Sequence, residues 1–324
     1  MSETKPYYGT SGITILNGIQ YYDGRTVGTS IKDMSIGGTL YTLEGVKLWT
    51  DDCFFVGKAG KDFESFYGDW FRENGIPYDG ITFTDFEHDI VSMVHYNADG
   101  SHVETSQWEG KDVPFSTFDP LACTWEDFLS TYKTAKAYYV NFVTANPVWD
   151  HLFEMKKEAG FKLMWEVMAR DCHPDAINDI ASVLERGIEM FSINMNESKD
   201  LFDTDDSMEI IRKVRELPVA FTLLRDGENG LYTVTEERVT FVPIRRWNGP
   251  VQDPTGCGNS STAAAMWALC EGYDDIMAGL IANTTAYYNV QQVGPVQRFD
   301  RRIREKELKY LEDNRDSLFR IIEA

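Results

Sequence analysis

Asp253-Pro254-Thr255-Gly256-Cys257-Gly258-Asn259-Ser260 runs straight into the helix-forming stretch Ser261-Thr262-Ala263-Ala264-Ala265-Met266-Trp267-Ala268-Leu269. Two glycines directly before a helix let backbone N–H groups converge, and the aligned peptide dipoles add partial positive charge at that end. Such a turn can hold an anion without any basic residue. A plain glycine-rich helix start with no ligand has the same pattern, and both readings stand on the pattern alone.

Working outward, the chain from about residue 135 alternates short apolar runs with amphipathic segments. Strands are expected at Ala137–Val143, Phe161–Glu166, Glu189–Ile193 and Val219–Leu224, with helices near 147–159, 175–187 and 205–216 between them. Alternation at this spacing implies a parallel sheet covered on both faces. Gly230–Thr235 and Arg238–Pro243 read as a hairpin through Glu236-Glu237, and helices are expected at 259–271, 274–291 and 301–322. Towards the N-terminus, Ile13 to Ile19 reads as a buried opening strand and Cys53–Val56 as a second. Phe63, Phe66, Tyr67, Trp70 and Phe71 recur at helical spacing before Gly75 and read as core. Residues 80 to 108 alternate polar with β-branched and aromatic residues between Asp-Gly turns, which predicts a half-exposed ribbon. The expectation is one α/β domain over residues 1–324, with a small β-sheet lid formed by parts of 20–36 and 80–110.

Composition narrows the function classes. The 324 residues carry 31 basic and 52 acidic side chains, a net charge of −21. That balance argues against a nucleic-acid surface, which needs clustered Lys and Arg, and against docking on anionic lipid. Hydrophobic content of 43% with 26% charged residues fits a packed globular protein. Five scattered cysteines without a C-x-x-C pair read as reduced thiols, and no window approaches eighteen apolar residues. With no basic-then-apolar leader after Met1, the expected location is cytoplasmic.

The motifs then converge. DPTGCGNSSTAA resembles the D-T-x-G-A-G-D signature of the ribokinase-like (PfkB) carbohydrate kinase family. Gly37-Gly38 resembles that family's Gly-Gly substrate loop, and Asp23 matches its strand-end aspartate that binds substrate hydroxyls. Gly57-Lys58-Ala59-Gly60-Lys61-Asp62 resembles the V-G-x-x-G-x-D turn. Asn194-Met195-Asn196-Glu197 matches the N-x-x-E motif near Mg²⁺ and the phosphates. Leu224-Arg225-Asp226-Gly227-Glu228-Asn229-Gly230 resembles the T-L-G-x-x-G nucleotide loop, and Ala282-Asn283 lies where the family walls the adenine. The resemblance spans residues 13 to about 295 with the motifs in order. It implies a three-layer ribokinase-like fold with a mainly parallel central sheet. It also implies ATP and Mg²⁺ as cofactors and a small sugar, polyol or nucleoside as substrate; separately, the edges of the lid ribbon could pair across a homodimer, though nothing in the sequence requires it. Asp23, Gly37, Gly38 and Thr42 would face the substrate. Asn194, Arg225, Gly227, Gly230 and Asn283 would face the nucleotide, and Glu197 with Asn194 the metal. Gly256, Cys257 and Gly258 would form the anion hole beside Asn259.

The departures carry as much information. The resembled signature ends in an aspartate that takes the proton from the substrate hydroxyl, and here that position is Asn259. An amide has no useful basicity at neutral pH, and loss of a general base costs about 10²–10⁴ in rate. Phosphoryl transfer, however, rests chiefly on positioning and charge stabilisation. Two readings follow: a kinase using another base, or a family member that binds without phosphorylating. Thr42 stands where the family has asparagine, and Arg225 replaces the nucleotide loop's threonine. Arg225 would either help hold a phosphate or pair on the surface with Asp226 or Glu228. Trp165-Glu166 replaces an aspartate-containing strand end. Glu166 and Asp253 are candidate replacement carboxylates.

Other residues carry less. His88, His95 and His102 recur every seven residues, but an odd offset puts His95 and His102 on opposite faces of a ribbon. His151 and His173 are isolated, and zinc needs three or four converging ligands. Cys257 could be activated by the helix end or could be a small filler. Tyr41 and Trp108 could line a sugar pocket or pack in core and lid.

Overall fold

The strand–helix alternation read between residues 135 and 243 closes into one open twisted sheet. A computed structural model describes residues 7–12, 14–27, 35–38, 40–86, 90–97, 102–106 and 121–323. Among these residues ten strands make the main sheet. In spatial order they are β15 (Arg320–Ile322), β14 (Val239–Pro243), β13 (Gly230–Val234), β12 (Phe221–Arg225), β11 (Met190–Asn194), β10 (Lys162–Glu166), β9 (Ala135–Val140), β1 (Tyr7–Ser11), β5 (Cys53–Ala59) and β6 (Ile81–Phe83). From β12 to β6 all neighbours run parallel, while β13, β14 and β15 add antiparallel strands at one edge.

Successive side chains of a strand point to opposite faces, and the two cores follow that rule. Ala137 and Tyr139 of β9 join the core under α1 (Leu40–Lys47), α7 (Cys257–Cys270), α8 (Asp275–Asn289) and α9 (Arg301–Asn314). Tyr138 and Val140 join the opposite core, under α3 (Val148–Ala159), α4 (Ile177–Glu185), α5 (Met195–Phe202) and α6 (Ser207–Arg215). The central parallel strands therefore have a covered face on each side, which is why these runs read as continuously apolar, while the edge strand β6 is largely exposed. Helices α1 and α7 approach closely because position 45 is glycine: a Cβ there would overlap the Ser260 carbonyl.

A second sheet lies apart from the first. It comprises β2 (Thr14–Gln20), β3 (Thr26–Val27), β4 (Ser35–Gly38), β7 (Ile90–Tyr96) and β8 (His102–Ser106), in the order β3-β2-β7-β8 with β4 also on β2. The structure adjusts several boundaries here. Ile13 to Ile19 is not a core strand; past Gly12 the chain leaves the main sheet, and β2 belongs to the small one. The opening core strand is instead Tyr7–Ser11, whose Thr10 and Ser11 are wholly buried. Ser11 Oγ satisfies itself on the Tyr139 carbonyl. Ile81–Phe83 pairs with β5 rather than with the ribbon. The 61–75 segment forms a π-turn over Glu64–Gly68 and then α2 (Asp69–Glu73). The final helix stops at Asn314, and the chain returns as β15 on β14. His88, Trp108 and the Asp99-Gly100 turn lie outside the described residues. Among the described residues no helix is long and apolar enough to cross a membrane, and all five cysteines are unpaired.

Candidate active site

Open parallel sheets collect ligands at the carboxyl ends of their strands, and the chemistry-bearing residues gather there. Tyr139, Glu166, Asn194 and Arg225 sit at or next to the ends of β9, β10, β11 and β12, under the start of α7. The helix start is built by backbone conformation. Gly256 has φ +80°, a left-handed turn that costs an L-residue about 1–2 kcal/mol. A Cβ at 256 would also enter the Tyr41 ring. No side chain caps α7; of its first N–H groups, that of Cys257 donates to the Pro254 carbonyl at 3.2 Å.

Arg225 reaches across to this start. A Cβ on Gly258 would overlap the guanidinium, so the absence of a side chain at 258 makes room for it. Arg225 Nη2 lies 3.0 Å from Glu166 Oε1 and 3.7 Å from Glu197 Oε2. Burial works against the charge, but Glu166 and Glu197 outweigh it and hold the group's pKa above its ordinary value. Arg225 Nε and Nη2 are buried without a well-directed hydrogen-bond acceptor. An unsatisfied buried donor costs about 1–3 kcal/mol, so this guanidinium is paired in charge yet short of acceptors. It makes neither of the surface pairs, with Asp226 or Glu228, that the sequence also allowed.

Glu166 is the hub. Its Oε2 accepts from the Tyr139 hydroxyl at 2.8 Å, and Asn259 Nδ2 reaches its Oε1 at 3.4 Å and the Tyr139 oxygen at 3.3 Å. Burial, with Glu166 adjacent, pushes the Tyr139 phenol far up, so it stays a proton donor. Of the two replacement carboxylates, Glu166 is the one that meets Asn259. Asp253 is instead buried as a brace, accepting from Thr255 N at 3.0 Å and Gly294 N at 3.2 Å.

The N-x-x-E motif is a capping box at the start of α5. Asn194 Oδ1 accepts from Glu197 N, and Glu197 Oε2 from Asn194 N, both at 2.8 Å. Burial raises the Glu197 pKa against the opposing pull of Arg225 and the Asn194 N–H. Among the described residues no three His, Cys, Asp or Glu side chains converge as a metal cage. One carboxylate with its inner oxygen committed fits a Mg²⁺ that arrives with phosphates and keeps its waters.

The remaining expected residues are more dispersed. Thr42 is buried on α1. Gly37 and Gly38 lie in β4, paired with Ile15 and Thr14. Asp23 is exposed in the β2–β3 turn, where the Arg25 backbone N–H, foremost, and its side chain hold it below the usual carboxylate range. Gly227 and Gly230 bound a short 3₁₀ turn after β12. Asn283 ties α8 to the end of β14, donating to Pro243 O and accepting from Arg245 N. Cys257 turns towards α8, contacting Ala286 O and Asn289, and burial pushes its thiol up to about 12; the helix end does not activate it. His151 stacks on Trp125, and His95 bonds Gln20. Sequence reading missed Tyr21 and Tyr96. They stack on each other and bond Gln252 O and Thr255 Oγ1, joining the small sheet to the loop before α7. It also missed Tyr139, whose signal was only a tyrosine within an apolar strand.

Fold and site together define an α/β protein whose buried polar and charged side chains gather at the carboxyl edge of its sheet. The pfkB family carbohydrate kinase model matches residues 39–300. The chain belongs to that family and is a kinase of its phosphotransferase class. No curated protein matches the sequence. Adenosine kinase from Sinorhizobium meliloti superposes with a TM-score of 0.73 at 16% identity, covering 94% of this chain and 99% of its own. A Burkholderia thailandensis nucleoside kinase in complex with inosine gives 0.70 at 15% identity, over 94% and 98%. A putative ribokinase II from E. coli in complex with ATP and Mg²⁺ gives 0.68 at 14%, over 94% and 99%. At such identities these likenesses speak for the fold.

Proposed function

We propose that this chain transfers the γ-phosphoryl group of ATP to a hydroxyl of a sugar or sugar-bearing small molecule, nucleosides included. The observation that carries the reading is the uncapped start of α7 facing a buried Arg225 with two nitrogens lacking acceptors. The backbone N–H groups of Gly256, Cys257 and Gly258 take the charge that develops on the transferred group, and Arg225 adds a fixed positive charge beside them. The turn Gly227–Gly230 and the α8 residue Asn283 border the nucleotide. Asn194 and Glu197 would hold Mg²⁺ through water, and the ion supplies charge neutralisation between phosphates. Asp23, Gly37, Gly38 and Thr42 address the acceptor, with the small sheet closing as a lid to exclude water. Asn259 orients the attacking hydroxyl.

Asn259 itself favours a second reading, a protein that binds nucleotide or sugar without efficient transfer. ADP formation from ATP across a panel of sugars and nucleosides, for the natural chain beside Asn259→Asp, separates the two. Turnover of an acceptor by the natural chain at ordinary rates is expected; turnover by Asn259→Asp alone leaves only the binding reading.

A further inference from the structure

We infer that Glu166 is the general base of this kinase and that Arg225 keeps it occupied until phosphate arrives. The inference rests on the kinase reading above and names the residue that Asn259 cannot replace. Glu166 ends β10 with its side chain 8% exposed, and its Oε1 is shared between Arg225 Nη2 at 3.0 Å and Asn259 Nδ2 at 3.4 Å. Asn259 is half-buried, and its amide nitrogen contacts that oxygen. A carboxylate one hydrogen bond behind the orienting amide lies within reach of a hydroxyl that Asn259 holds, directly or through one water.

In the resting protein both oxygens of this carboxylate are engaged. Tyr139 donates to Oε2, while the guanidinium sits against Oε1. The arrangement around Arg225 is nonetheless unfinished, since its Nε and Nη2 lack directed acceptors. Phosphoryl oxygens at the start of α7 supply them. As the guanidinium turns to phosphate, Oε1 keeps only the weak Asn259 contact and regains a lone pair. In the transfer step the acceptor oxygen forms its bond to the γ-phosphorus and the bond from that phosphorus to the bridging oxygen breaks. ADP leaves with that electron pair, and the acceptor's proton passes to Glu166. The charged and titratable groups facing Glu166 are Tyr139 from β9, Arg225 from β12 and, beyond the guanidinium, Glu197 from α5. α7 presents only the neutral amide of Asn259. Tying base release to phosphate arrival would also keep the base from acting on an acceptor before ATP is seated.

The test measures ADP formation, with each acceptor and with water alone, for the natural chain, Glu166→Gln and Glu166→Gln/Asn259→Asp. The inference predicts a fall in kcat of about 10²-fold or more in the single variant, in line with loss of a general base. It predicts at least tenfold recovery in the double variant, where a carboxylate returns at 259. A single variant with unchanged kcat, or a double variant as slow as the single, overturns it while leaving the kinase reading intact. If the natural chain forms no ADP with any acceptor, the kinase reading falls and the inference with it. Should Glu166→Gln lose its cooperative thermal transition, Glu166→Asp takes its place: the charge stays, the reach shortens, and kcat falls at least tenfold or the inference is wrong. The exchange has its own readout. The Arg225 Nε–H resonance, identified by its disappearance in Arg225→Met, should move when a non-hydrolysable ATP analogue is added. A resonance that stays put overturns the exchange.

Discussion

Two helices begin at the same edge of the sheet, and they begin differently. α5 closes itself: Asn194 and Glu197 satisfy each other's backbone donors in a capping box. α7 starts on a left-handed glycine with no side-chain cap, and its first turn faces a buried arginine short of acceptors. Helices α6, α8 and α9 resemble α5, with Asp206, Asp274 and Asp300 each accepting from the first turn, whereas α2, α3 and α4 share with α7 the lack of a side-chain cap. A self-capped start spends its donors on stability. A glycine start leaves them without a side-chain acceptor, and the cost is met by the packing of α1 against α7 and by the Tyr41 ring on Gly256. The difference separates the part of this edge that holds the fold from the part free to hold a ligand.

The contrast can be broken at its tightest point. Gly256→Ala puts a Cβ into the Tyr41 ring and forces φ +80° on an L-residue. The expected loss is about 2–5 kcal/mol, from overpacking together with the left-handed strain. Denaturant unfolding of the variant would read it, and a loss below about 1 kcal/mol would mean that the turn is not held as described.

A smaller effect comes from pH. Glu44 of α1, packed beside the same region, is wholly buried with Oε1 unpartnered and Oε2 on Val296 N. Burial, reinforced by Asp253 and opposed by the Val296 N–H, pushes its carboxyl up to about 8, against an ordinary value near 4.5. The folded state therefore binds this proton more tightly than the unfolded state does. The stability it contributes is complete below about pH 4.5 and drains away as pH rises towards 8, by at most about 1.4 kcal/mol per unit. Thermal unfolding of Glu44→Gln should show a shallower decline over that window than the natural chain. Parallel pH profiles would refute the assignment.

The smallest change sharpens the other side of the comparison. Asp206→Ala uncaps α6 and should cost about 1 kcal/mol, seen as a modest drop in melting temperature with kinase activity retained. Loss of activity there would show that helix capping in general, and not the α7 start, governs the site.

How much of this was legible depended on what each residue does locally. The parallel sheet was readable because buried strands must be apolar on both faces, so Leu163–Trp165 and Phe221–Leu224 announced themselves. β1 did not, because Thr10 and Ser11 are polar residues at buried positions, Ser11 satisfying its hydroxyl on the Tyr139 carbonyl, and no hydropathy pattern records that. β15 hid inside an apparent helical face, since Leu318 and Ile321 lie three positions apart, as on one side of a helix. The glycine turn of α7 and the N-x-x-E spacing were visible in the chain, but the capping box gives the latter a structural reason of its own. Arg225 and Glu166 were visible only as departures. Their pairing joins the ends of two strands 59 positions apart in the sequence, and only the sheet order β10-β11-β12 brings them together. Tyr21 and Tyr96 were hidden for the same reason, since each meets the loop before α7 from the other sheet.

The central claim is that the open start of α7 and Arg225 together hold the phosphates of ATP. Calorimetric titration of ATP into the natural chain, Arg225→Met and Asp206→Ala tests it most directly. The account predicts that Arg225→Met weakens ATP at least tenfold, a loss of about 1.4 kcal/mol, while Asp206→Ala binds as the natural chain does. Equal ATP affinity in all three proteins would contradict it.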